Sequence, residues 1–347
     1  MLGSDAAARP PLALVLGCAG PRLTPAEVRF FAEAGPLGFI LFARNCDHPG
    51  QVRALVAELR SAVGRADAPV LIDQEGGRVA RLRAPHWRTP PAGRAFAALH
   101  ERDPVAAVEA ARLNARLIAC DLDDLGIDVD CAPVADVPAP DGHDVIGDRA
   151  LGRDAATVAA LARATCEGLS AGGVAPVIKH IPGHGRARED SHIALPVVDA
   201  GIALLRRTDF APFRALNDQP MAMTAHVVYT AVDDRAPASA SRAVIDGVIR
   251  GDIGFDNFLL SDDIGMGALA GSMSERTRAV LDAGCDAALH CSGELDAMQE
   301  IAAAARPLDD AALARFERVL AARRAPDAFD RAAAEARLGT LLDAGVA

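Results

Sequence analysis

Aromatic side chains are scarce in this chain. One tryptophan, one tyrosine and eleven phenylalanines amount to 4% of the 347 residues, although apolar residues as a whole reach 51%. Alanine and valine carry the apolar content instead, which is an ordinary composition for a soluble protein. Positive charge is also short: 36 Lys and Arg against 47 Asp and Glu leave a net charge of −11. A surface of that sign repels polyanions and argues against a nucleic-acid or membrane-surface role. No apolar run approaches the roughly 20 uncharged residues needed to span a bilayer. Residues Met1–Pro11 lack the basic start and long apolar centre of a secretory signal. The expected location is the cytoplasm, and nothing calls for an obligate protein partner.

Paired cysteine motifs are missing as well. Cys18, Cys46, Cys120, Cys131, Cys166, Cys285 and Cys291 are odd in number, widely spaced and contain no C-x-x-C. Neither a disulfide framework nor a zinc knuckle is expected. Several fall within or beside candidate strands, where cysteine packs as a small hydrophobe.

What is present is a series of short apolar runs separated by amphipathic segments. The runs are Leu12–Cys18, Gly38–Ala43, Pro69–Asp73, Ile127–Pro133, Val174–Ile178, Met221–Val227, Phe258–Ser261 and Ala287–Cys291. They are nearly continuous rather than alternating, as parallel strands covered by helices require. Helical patterns lie between them at Pro49–Gly64, Pro104–Leu125, Asp154–Gly172 and Ser274–Ala283. Thr24 before Pro25-Ala26-Glu27 reads as a capped helix start. The expected fold is a (β/α)8 TIM barrel in one domain over residues 1–347, with the barrel at about 12–293 and extra C-terminal helices at about 294–347. A doubly wound open sheet is the structural rival, but Gly17-Cys18-Ala19-Gly20 does not fit its glycine fingerprint.

Polar clusters fall at the C-terminal ends of these runs, the face where barrel enzymes build their sites. They include Asp73-Gln74-Glu75, Asp130, Lys179-His180, His226 and Asp262-Asp263. The densest is Lys179-His180-Ile181-Pro182-Gly183-His184-Gly185, followed by Glu189-Asp190-Ser191-His192. So many titratable groups where a buried strand opens into a glycine-rich loop point to a ligand. Asp262, at a strand end, is placed for nucleophilic attack, with Asp263 as its structural neighbour. Asp190 and His192 share one side of an extended segment, so the carboxylate can orient the imidazole for acid/base work. Lys179, leaving a buried run, needs an acceptor: a sugar hydroxyl or a carboxylate. Asp73 stands at the end of the third run, where Gly76-Gly77 permits close backbone approach. Arg81 and Arg149 would be surface residues by default. His184 and His226 read as supporting residues rather than ligands. No metal is expected: H-x-H and H-E-x-x-H pairs are lacking, and Lys179 beside His180 opposes a cation.

In this order the motifs resemble glycoside hydrolase family 3, in particular its single-barrel bacterial β-N-acetylglucosaminidases of cell-wall recycling. The matching segments are Gly38–Asn45, Asp73–Arg81, Ile146–Arg149, Lys179–Gly185 with Asp190-Ser191-His192, Met223–His226 and Ser261-Asp262-Asp263. The resemblance implies a retaining mechanism without cofactor: Asp262 as nucleophile, His192 as acid/base and Asp190 as its orienting partner. It also implies Asp73, Arg81, Arg149, Lys179 and His180 as ligands of the sugar hydroxyls. The implied substrate carries a terminal β-linked N-acetylglucosamine, as in GlcNAc-1,6-anhydro-muramic acid peptides. The chain departs from the family pattern at Ile181 and at Ile264-Gly265-Met266-Gly267, positions that bear on aglycone preference. Phosphorolysis on the same scaffold, a metal-dependent hydrolase and an inert binding barrel are the alternatives.

Overall fold

The computed structural model describes residues 10–140, 142–191 and 194–343. Eight parallel strands close into a barrel: β1 (Leu12–Leu16), β2 (Pro36–Leu41), β3 (Val70–Ile72), β4 (Val129–Asp130), β5 (Ala175–Ile181), β6 (Met221–Thr224), β7 (Phe258–Asp263) and β8 (Ala287–His290). Each pairs with its sequence neighbour, and β1 pairs with β8 through Leu14↔Ala288 and Leu16↔His290. Every expected run contributes a strand, and the open-sheet alternative is set aside by that closure.

The ends of the runs differ in an informative way. β4 is only a short ladder because Pro133 offers no N–H, although Val134 still bridges to Lys179. β5 runs on to Ile181, so Lys179 and His180 lie within the strand rather than after it. Likewise β7 contains both Asp262 and Asp263. Rigid ladder positions therefore carry these polar residues.

Local chemistry sets the helix boundaries. Thr24 caps the helix Pro25–Ala34 with a reciprocal bond to Glu27, Pro25 occupies the first turn, and Gly35 ends it at φ 57°. Removing that cap with Thr24→Ala should cost about 1 kcal/mol, read as a small fall in Tm with unchanged activity. At the N-terminal ends of the strands two buried carboxylates tie barrel to outer helices. Asp128 accepts from the Val70 amide at 2.7 Å and pairs with Arg60 and Arg323. Asp286 accepts from the Leu259 amide at 2.7 Å and pairs with Arg250 and Arg315.

The helices Leu295–Ala304, Asp310–Ala322 and Arg331–Asp343 follow the last strand. Phe316 packs edge-on against Phe258 at 5.8 Å, closing the base of β7. Arg337 pairs with Glu109, and Arg331 with Asp121, which docks the last helix on Pro104–Asp124. Among the described residues, no helix is long and apolar enough to cross a membrane.

Candidate active site

At the C-terminal mouth of the barrel lies a pocket of about 290 Å³. Asp73, Arg81, Arg149, Lys179, His180 and Asp262 all line it. Six side chains from four separate stretches of chain thus meet at one mouth. Asp190 sits on the loop beside the pocket, next to Ser191, which also lines it. His192 lies outside the described residues.

The floor is an ion cluster. Lys179, 3% exposed at its side chain, bonds Asp73 at 2.8 Å and Glu75 at 2.7 Å. Of the two acceptors the sequence allowed, a sugar hydroxyl or a carboxylate, the structure shows carboxylates of its own chain. Arg81 holds the other oxygen of Asp73 at 2.8 Å and lies over the Phe42 ring. Arg149 grips Glu75 in a two-pronged pair, both contacts 2.8 Å. Neither arginine is the surface residue that composition favours.

Burial alone would raise both carboxyls. For Asp73 the nearby Lys179 and Arg81 outweigh it and hold the group well below the usual range. For Glu75, Lys179 and Arg149 do the same and hold it at about 2. Burial works against the charge of Lys179, but Asp73 and Glu75 keep it protonated above its ordinary range. The cluster is fully ionised throughout the physiological range.

Close backbone packing makes this possible. Gly76 has φ 108°, and a Cβ there would lie 2.2 Å from the Pro91 carbonyl oxygen. Only glycine allows the chain after Asp73 to turn back and present Glu75 beside Lys179.

His180 is aimed by Asp136. This fully buried carboxylate meets His180 Nδ1 at 2.7 Å and accepts from the backbone amides of His180 and His184. Burial would raise Asp136, but the two histidines and these bonds hold it at about 2. With Nδ1–H donated to Asp136, Nε2 is the atom left for the pocket. His184 is neutral, because burial and then His180 lower it to about 4. Its Nε2 meets the Ser191 hydroxyl at 3.1 Å, fastening the loop just before residue 192.

Asp262 and Asp263 divide labour as neighbours on β7. Asp263 directs its carboxylate to the backbone amides of Gly265 at 2.9 Å and Cys291 at 3.2 Å. Its own amide donates to Asp262 Oδ1 at 2.8 Å. His226 Nε2 lies 2.9 Å from the Asp263 carbonyl oxygen, and its Nδ1 lies 2.6 Å from the Ser239 hydroxyl. The strand end bearing Asp262 is thereby fixed from both sides, with His226 in the supporting role read from the sequence.

The loop after β5 is fastened too. Arg186 pairs with buried Asp209 at 3.0 Å and donates to the Thr208 hydroxyl at 3.1 Å. The single tyrosine, Tyr229, donates to the Gly183 carbonyl oxygen. Met266, from the departure after the paired aspartates, lines the pocket beside Asp262.

The sequence reading placed Glu75 in a strand-end cluster without giving it a role, and Asp136 escaped it altogether. Glu75 stands two residues from Asp73, and a shared strand face was the signal available. Asp136 follows Val134-Ala135 in an otherwise apolar stretch, and only the fold brings it to His180.

A barrel whose mouth gathers paired strand-end carboxylates and an Asp–Glu–Lys–Arg cluster in one sugar-sized pocket fits a glycoside hydrolase. Residues 27–322 match the glycosyl hydrolase family 3 N terminal domain, and the chain is a member of that family. It is 38% identical over 289 residues to a beta-hexosaminidase of Bordetella avium, covering 82% of this chain and 81% of that one. A beta-hexosaminidase of Xylella fastidiosa is 40% identical over 297 residues, 83% of this chain and 87% of the relative. The crystal structure of NagZ from Neisseria gonorrhoeae in complex with N-trifluoroacetyl-D-glucosamine superposes with a TM-score of 0.86 at 32% identity, covering 96% of this chain and 99% of that one.

Proposed function

We propose that the protein is a retaining exo-β-N-acetylglucosaminidase that removes a terminal non-reducing β-linked GlcNAc, with GlcNAc-1,6-anhydro-muramic acid peptides as the natural substrate in cell-wall recycling. The observation that carries this reading is the convergence of Asp262 and the Asp73–Glu75–Lys179–Arg149 cluster on one pocket of about 290 Å³. Asp73, Arg81, Arg149, Lys179 and His180 hold the sugar hydroxyls. Their hydrogen bonds tighten as the ring approaches its oxocarbenium-like transition state.

Asp262 attacks the anomeric carbon, and the bond to the aglycone oxygen breaks with its electron pair. His192, oriented by Asp190, delivers the proton to that oxygen. It then takes a proton from water as the water displaces Asp262, restoring the β configuration. The Asp263 amide bonded to Asp262 Oδ1 steadies the departing carboxylate.

His192→Ala tests the acid role. Turnover of a natural disaccharide should fall by roughly 10²–10⁴-fold, whereas glycosylation from an aryl glycoside with a good leaving group should fall far less. Equal losses on both substrates would remove the acid assignment. Initial rates in phosphate and in a phosphate-free buffer distinguish the acceptors. Free GlcNAc at equal rates in both supports hydrolysis, and GlcNAc-1-phosphate as the main product in phosphate would replace it with phosphorolysis.

A further inference from the structure

Asp130 is a strand-end carboxylate of the sequence analysis that the proposed chemistry leaves unused. It lies on β4 with no exposed surface. One oxygen, Oδ1, accepts the Gln74 backbone amide at 2.9 Å, and the other, Oδ2, has no partner. Gln74 stands between the two carboxylates that hold Lys179. Its side chain in turn accepts from the Arg81 and Leu82 amides and donates to the Leu82 carbonyl. The Asp130–Gln74 bond therefore braces the backbone from which Asp73, Glu75 and Arg81 reach the pocket. Behind it is a cavity of about 30 Å³, no more than a water molecule or two, which Asp130 lines with Glu75, Asn114, Arg149 and Thr165.

We propose that Asp130 is a positioning residue of the sugar site that works in its neutral form, and that ionising it loosens the grip of the pocket on GlcNAc. A protonated carboxyl keeps Oδ1 as acceptor for Gln74 and leaves no bare charge in the barrel interior. An ionised one adds a third anion beside Asp73 and Glu75 and draws on Lys179, whose charge those two already share. Arg149 is committed to Glu75, and Asn114 and Thr165 bring no charge. Geometry thus makes the anion costly, and the titration agrees. Burial first, then Asp73 and Glu75, raise Asp130 to about 7 against the opposing Gln74 bond and Lys179. The inference rests on the reading that Asp73 and its partners hold the sugar.

The test is calorimetric titration of GlcNAc into the whole protein between pH 5.5 and 8.5, in buffers of different ionisation heat. The wild type should bind on the order of tenfold more weakly at pH 8.5 than at pH 6 and should take up protons on binding above pH 7. D130N, which mimics the neutral carboxyl, should keep the low-pH affinity at both ends and show correspondingly less proton uptake. If D130N fails to fold, D130S, which also removes the ionisable carboxyl, carries the same comparison of proton uptake with the wild type. Stability offers a second readout with a different window. The native state holds a proton that the unfolded chain releases, so the wild type loses stability relative to D130N as pH rises from about 4 to about 7, and the gap is constant above. No proton uptake by the wild type, or identical pH profiles for wild type and D130N, would overturn the proposal. Asp73→Ala separates it from the reading beneath it. Loss of GlcNAc binding there upholds the sugar site whatever Asp130 does, while unchanged binding would remove both.

Discussion

Asp262→Ala should lower turnover of an aryl β-N-acetylglucosaminide by ~10⁴-fold or more, the scale seen when a covalent nucleophile is deleted. Its fold should survive, because the side chain accepts from the neighbouring Asp263 amide and no ion pair among the described residues depends on it. The ion cluster of the floor is untouched, so KM for the remaining activity should change little. Azide offers a positive control: entering the space left by the carboxylate, it should attack the anomeric carbon from the same face and yield the α-glycosyl azide. Recovery of that product ties the loss to the missing nucleophile rather than to a distorted pocket. A rate within tenfold of the wild type would dismiss the assignment.

Lys179→Met should damage both binding and stability. The lysine neutralises two buried carboxylates at once, at 2.8 and 2.7 Å. Methionine fills a similar volume but leaves Asp73 with Arg81 alone and Glu75 with Arg149 alone. Breaking a buried pair by removing one partner costs about 3 kcal/mol or more. The pH dependence has a definite sign. Glu75 titrates at about 2 in the folded wild type against an ordinary 4.5, so the stability it supplies is complete above pH 4.5 and is lost as pH falls toward 2. In the variant its pKa moves back up and that contribution shrinks. The Tm difference between the two proteins should therefore be largest near neutrality and narrow below about pH 4. GlcNAc affinity should drop at least tenfold, since the groups that present to the hydroxyls lose their common anchor. A Tm unchanged at pH 7 would contradict the role given to the cluster.

The barrel was legible because each strand is a compact apolar run and each polar cluster sits at the same end of its run. That is a local pattern, and Asp73, Lys179, His180 and Asp262 could be placed at one mouth by counting strands. Strand ends were harder. β4 shrinks to Val129–Asp130 because a proline ends its ladder, and β5 and β7 extend into their polar tails because neighbouring strands continue to pair with them. Pairing across the barrel was not legible. The Glu75–Arg149 fork spans 74 residues and the Asp136–His180 contact 44, and nothing in either segment alone names its partner. The acid/base pair stands differently. Asp190 is beside the pocket, while His192 is carried by the family motif.

A slow fluorinated N-acetylglucosaminide, mixed with the enzyme and followed by intact-mass spectrometry, bears most directly on the covalent mechanism. The protein should gain the mass of one sugar residue, and peptide mapping should locate it on Asp262. Steady turnover with no adduct at any time, or an adduct on a different side chain, would contradict it.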